Sequence, residues 1–241
     1  MGTFWIRAAT AAALAVIGVQ AQAATVTLTG WAFGSGKQVA TNLYSGQAGA
    51  FQGTLSGTGA TDTTDFVTYC IELSEFFSFS STAMTGYTLV DGATYFQTRR
   101  GDAGIVDRLG RLLTFVSQDP TRVDTAAESA SMQLAIWNTV YDTDHTVTGN
   151  SSDFRDTSSY GSYANPLLNG ARGIATSSFD VFALQRAGSQ DFLLATQRPL
   201  RDAPLANGVP EPTSLVLVAL ALAGAGAARK RSVTRVGAAA A

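Results

Sequence analysis

The sequence predicts an α+β fold, a β-sandwich or barrel-like sheet carrying an inserted helical pair. Three observations carry it. β-branched and aromatic runs separated by Gly-rich spacers extend from Ala24 to about Thr98, apolar residues recur at helical spacing between Ile105 and Tyr141, and two strand-like runs close the body before Thr196.

Taken in order, Thr25 to Thr29 alternates as a strand should, and Gly34-Ser-Gly36 and Gly57-Thr-Gly59 mark turns around a short polar segment, Gly53 to Gly57. Asp65 to Leu73 mixes Phe, Val, Thr, Tyr and Ile and reads as a longer strand. Phe76, Phe77 and Phe79 follow, then a strand near Tyr87 to Val90. Ile105, Val106, Leu109, Leu112, Leu113 and Val116 share one helical face until Pro120 interrupts it. A second helix starts after Thr125, with Glu128 three residues on as a capping box, and runs to about Tyr141. Asp142 to Tyr163 is polar and reads as a long surface loop, and Pro166 to Thr176 as a short helix. Phe179–Gln185 and Asp191–Thr196 are two strands joined by a turn at Gly188, and 199–208 is a linker.

The two ends are addresses. Residues 1–23 combine Arg7, an apolar core from Ala8 to Val19 and Ala21-Gln22-Ala23, the layout of a secretory signal peptide cut between Ala23 and Ala24. At the other end Pro210-Glu211-Pro212 precedes an apolar run, Leu215 to Ala228, and then Arg229-Lys230-Arg231. Fourteen helical residues rise about 21 Å, short of a hydrocarbon core of about 30 Å. Such a segment holds a chain at the membrane transiently, and its basic cluster favours the cytoplasmic side. Segment 209–232 resembles the PEP-CTERM sorting signal of Gram-negative bacteria. The resemblance implies export across the inner membrane and transient anchoring by a C-terminal helix. It also implies processing by an exosortase, release to the cell surface or medium, and a cytoplasmic tail at 233–241.

Five of the 16 basic residues (Arg7, Arg229, Lys230, Arg231 and Arg235) lie in these two signals and the tail. The span from Ala24 to Glu211 keeps 11 against all 18 acidic residues, a net of −7. Nucleic-acid binding wants a basic face, and none is visible. The body, 24–198, has one cysteine, Cys70, so no internal disulfide can form in an oxidising compartment. That thiol is a buried bystander, an intermolecular crosslink, a nucleophile or part of another covalent bond.

Tyr69-Cys70-Ile71-Glu72-Leu73 and Met132-Gln133-Leu134-Ala135-Ile136-Trp137 belong together. The second resembles the Thr-Gln-x-Ala-Ile-Trp motif of the thioester domains of bacterial surface adhesins, with Met132 in place of Thr. The resemblance implies that Cys70 supplies the thiol and Gln133 the acyl group of an internal thioester. Tyr69, Glu72 and Trp137 then surround the bond, and a partner amine or hydroxyl on a surface or matrix molecule attacks it. One covalent bond forms without turnover, so neither an enzyme nor a cofactor is expected. On residues alone, Gln133-Leu-Ala-Ile-Trp also suits an amphipathic helix with Leu134, Trp137 and Tyr141 facing a core, and Cys70 a packed thiol in a non-covalent matrix or adhesion protein. His145, beside Asp142 and Asp144, would complete a Cys–His hydrolase pair. Asp142, Asp144, Asn150 and Asp153 offer oxygen ligands without the spacing of a calcium loop, so no metal is expected.

Overall fold

In a computed structural model, residues 23–79, 82–149 and 153–198 are described. β1 (Ala23–Trp31) turns Ala24, Val26 and Leu28 into the core and leaves Thr25 and Thr27 half-buried, as its alternation requires. It pairs antiparallel with β4 (Phe51–Ser56) on one side and β6 (Met84–Asp91) on the other. Ala23 and Ala24 open this strand opposite Thr88 and Tyr87. β4 in turn buries Phe51, Gly53 and Leu55. A Cβ at Gly53 would sit 1.8 Å from the Thr27 carbonyl oxygen, so only glycine lets β1 and β4 close at their bulge.

β5 (Thr63–Thr68) continues the sheet beyond β4, and β7 (Phe179–Arg186) and β8 (Ser189–Gln197) continue it beyond β6, giving the order β5-β4-β1-β6-β7-β8. The two edges then meet. The Leu193 N–H donates to the Tyr69 carbonyl (2.9 Å), the Ile71 N–H to the Asp191 carbonyl (3.2 Å), and Cys70 bridges Phe192. The Thr68 hydroxyl adds a bond to the Leu193 carbonyl at 2.7 Å. The sheet is thus a nearly closed barrel, and residues 68–71 form its seam. β2 (Lys37–Ala40) and β3 (Ser45–Ala48) make a separate hairpin.

Four helices stand between β6 and β7: α1 (Gly92–Arg100), α2 (Ile105–Ser117), α3 (Ala126–Tyr141) and α4 (Gly161–Arg172). A 3₁₀ turn at Pro120–Val123 links α2 to α3. The capping box forms, with the Glu128 N–H on the Thr125 hydroxyl and the Thr125 N–H on the Glu128 carboxylate. Every residue from Ser129 to Val140 is buried, so α3 is a core helix covered on all sides.

Several expectations need correction. The expected pair, α2 and α3, and the short helix, α4, are joined by a fourth helix, α1. Residues 92–98 are helical, because Asp91 caps the Thr94 N–H and Gly101 ends the helix in a left-handed turn. The strand expected over 65–73 stops at Thr68, where the chain leaves β4 to bridge β8, so Cys70 stands just past the strand. The 142–163 segment is no simple surface loop, since Val147, Phe154 and Asp156 are buried. α4 begins at Gly161, ahead of Pro166. The proline is tolerated because the carbonyl it leaves without a donor belongs to Ser162, in the exposed first turn. The signal peptide up to residue 22, the linker, the anchor helix and the tail lie outside the described residues. Among the described residues, no helix is long and apolar enough to cross a membrane.

Candidate functional site

One stripe of α3 faces the seam. Ser129, Gln133, Trp137 and Tyr141 recur every four residues, which places them on one side of the helix. The Ser129 hydroxyl accepts from the Ala50 N–H at 2.7 Å, and the Tyr141 hydroxyl from the Leu73 N–H at 2.9 Å. Between them the Gln133 carboxamide pairs with the main chain of Cys70, 63 residues away in sequence. The Cys70 N–H donates to Gln133 Oε1 (3.0 Å) and Gln133 Nε2 donates to the Cys70 carbonyl (2.8 Å). Gln133 and Tyr141 therefore satisfy main-chain groups of the chain at and just past the seam, which has left regular strand pairing, and Ser129 does the same for the chain entering β4. Gln133 is fully buried and Cys70 is 7 % exposed.

Cys70 and Gln133 line a cavity of about 370 Å³, with Glu72 and Trp137 on its walls. Aromatic rings make up most of the rest. Trp31 packs on Phe51 at 4.8 Å, Phe77 meets Phe51 edge-on at 4.7 Å, and Tyr44 lies 5.0 Å from Trp137. Phe76 and Phe79 stand exposed at the rim. Burial, and secondarily the Glu72 carboxylate, pushes the Cys70 thiol well above its ordinary pKa, so at rest the sulfur keeps its proton.

Of the remaining expected residues, Trp137 is buried with its indole N–H unpartnered among the described residues. Glu72 holds a turn, its carboxylate accepting from the Ser74 N–H and hydroxyl (both 2.6 Å) and from the Glu75 N–H (3.0 Å). Tyr69 does not line the cavity; its ring is buried in the core. His145 does not join Cys70. It lines a different cavity, with Arg108, Arg111 and Arg172, so the geometry offers no Cys–His pair. Asp142 and Asp144 accept main-chain N–H groups of their own loop, from Thr143, Asp144 and Phe154 and from Thr146 respectively. Asp153 contributes its carbonyl to Asn42, and Asn150 lies outside the described residues. Among the described residues, no group of three His, Cys, Asp or Glu side chains is placed to hold a metal.

Ser129, Tyr141 and the aromatic walls escape a motif-based reading. Their signal was present as the four-residue spacing about Gln133 and the Phe76–Phe79 run. What was missing is that Trp31, Tyr44 and Phe51 would arrive at the same place from the start of the chain.

The model of the PEP-CTERM protein-sorting motif matches residues 208–231, a stretch that includes Pro210-Glu211-Pro212 and the basic cluster. The motif indicates an exported chain processed by an exosortase, with a cell-surface or extracellular fate. The match covers the tail and none of the described residues. No curated protein and no solved structure matches the chain.

Proposed function

We propose that the exported body is a covalent attachment module, in which Cys70 and Gln133 form an internal thioester that a partner nucleophile later opens. The observation that supports this reading is the two-way pairing of the Gln133 carboxamide with the Cys70 main chain, at the wall of an aromatic cavity. It holds the Gln133 carboxamide against the main chain of the residue that carries the sulfur.

The chemistry follows from that arrangement. The thiol of Cys70 loses its proton and its sulfur attacks the Gln133 carbonyl carbon. The Cys70 N–H already donates to the oxygen on which negative charge then develops, the role of an oxyanion donor. The C–N bond breaks, the nitrogen departs with the transferred proton as ammonia, and the acyl group remains on sulfur. A partner amine or hydroxyl entering the cavity attacks the same carbon. It forms an amide or ester with residue 133 and returns the thiol. Each molecule reacts once, without cofactor or turnover. Surrounding rings keep water from the acyl carbon.

A second reading has its own support, since the thiol is strongly disfavoured as a thiolate and both Gln133 bonds use only Cys70 main-chain atoms. In it the domain is a non-covalent matrix or adhesion protein, and Gln133 is a seam anchor. The intact mass of the purified protein separates the two. The thioester predicts a mass one ammonia lighter than calculated, a further addition after treatment with methylamine, and unshifted masses in Cys70→Ala and Gln133→Ala. A wild-type mass equal to the calculated one, with a thiol that titrates on unfolding, would overturn it.

A further inference from the structure

On the side where α2, the loop after α3 and the end of α4 converge, a second cavity of about 290 Å³ carries an unusual charge set for so acidic a body. Arg108 and Arg111 project from α2, Arg172 from the last turn of α4, and His145 from the loop; Thr139 adds a hydroxyl and Asp107 the one carboxylate of the lining. Two arginines are held but not used up. Arg111 pairs with Asp107 and Arg108 with Asp102, each at 2.6 Å through a single Nη. The Nε of both is buried with no hydrogen-bond partner among the described residues. Each side chain is nevertheless partly exposed, 25 % for Arg108 and 36 % for Arg111, and keeps its second Nη outside the ion pair, so both retain donors for an acceptor brought from outside. Arg172 makes no ion pair among the described residues.

We propose that this cavity binds an oxyanion, a carboxylate, sulfate or phosphate group, between the guanidinium groups of Arg108, Arg111 and Arg172 and the His145 ring. Planar forks of N–H donors match the oxygens of such groups, and the surplus of positive charge disfavours cations. The field at His145 agrees. Burial lowers the imidazole pKa most, then Arg172 and Arg108, and these outweigh the opposing Asp144 and Asp142. A bound anion reverses that balance and draws a proton onto the ring. The site stands apart from the Cys70 cavity, and its test does not depend on a thioester.

His145 is the only histidine in the chain, so in untagged protein its ring resonances report this cavity alone. The experiment titrates the protein with inorganic phosphate, sulfate and glucuronate at fixed ionic strength, with chloride as reference, and follows the His145 ring by NMR. Saturable shifts with a rise in the His145 pKa are expected, weakened at least about tenfold in Arg172→Gln and in Arg111→Gln. Arg172 is exposed, so its variant keeps the fold, and Arg155→Gln, outside the cavity, leaves binding unchanged. Preference for glucuronate assigns the oxyanion to an acidic sugar, and preference for phosphate to a free or esterified phosphate. Shifts that fail to saturate, that chloride reproduces, or that persist undiminished in both arginine variants would overturn the proposal.

Discussion

Replacing Cys70 by alanine removes a sulfur and nothing else from the hydrogen-bond network. Both Gln133 bonds run to the main-chain N–H and carbonyl of residue 70, which alanine retains. If the thiol is merely packed, the cost is that of one buried heavy atom, about 1 kcal/mol. If it is joined to Gln133, the bond closes a loop of 63 residues. The loop-closure relation for crosslinks puts the denatured-state entropy removed by such a loop at about 4 kcal/mol at room temperature. The two readings therefore differ by about 1 against about 5 kcal/mol, or about 2–4 °C against about 10–20 °C in Tm for a domain of this size. The assay is urea unfolding of wild type, Cys70→Ala and methylamine-treated wild type, followed by tryptophan fluorescence. With a thioester, the variant and the opened wild type lose similar stability and show a steeper denaturant dependence, because their unfolded chains expand further. A gap of about 1 kcal/mol, with no effect of methylamine, would refute the crosslink.

Two further outcomes are expected. Asp191 is fully buried, accepting from the Tyr95 hydroxyl (2.7 Å) and the Arg186 N–H (2.9 Å), and burial raises its pKa. A raised folded value gives stability that is complete below the unfolded value of about 3.9 and is lost as pH rises through the folded value; Asp191→Asn should flatten that decline, read as Tm between acidic and neutral pH. Replacing Pro210, Glu211 and Pro212 together by alanine should leave the chain unprocessed in the membrane fraction, where intact mass shows the tail retained; normal release of the variant would count against the motif as the processing signal.

How far the sequence carried the fold depends on the range of each interaction. The capping box at Thr125 and Glu128, the proline stop at Pro120 and the Gly188 turn are local, and each forms where the residues place it. A barrel-like sheet was among the forms expected, but which edges close it was not legible. The closure joins Thr68 to Leu193 across 125 residues, and nothing in the composition of either strand names its partner. α1 was hidden for a different reason. Thr94, Tyr95 and Phe96 favour strands on propensity, and the Asp91 cap and Gly101 stop that decide the matter lie at its two ends. For the candidate site, Cys70 and Gln133 were legible as a motif pair. The aromatic walls were not, because Trp31, Tyr44 and Phe51 reach the cavity only through the hairpin and the β1–β4 pairing.

The seam explains why Gln133 is a poor probe of chemistry and Cys70 a good one. Where the chain crosses from β4 to β8, the Cys70 and Leu73 N–H groups lose strand partners, and α3 replaces them with Gln133 and Tyr141. Truncating Gln133 leaves a buried donor and a buried acceptor unpaired, at about 1–3 kcal/mol each, whether or not it ever bonded to sulfur. A glutamine at this position is therefore required by the fold before any reaction is considered. The thiol is not, since an alanine would complete the same backbone pairing. The presence of sulfur at the one seam residue that the carboxamide embraces is what the fold alone leaves without a reason, and the choice between a packed thiol and a stored acyl group turns on that atom.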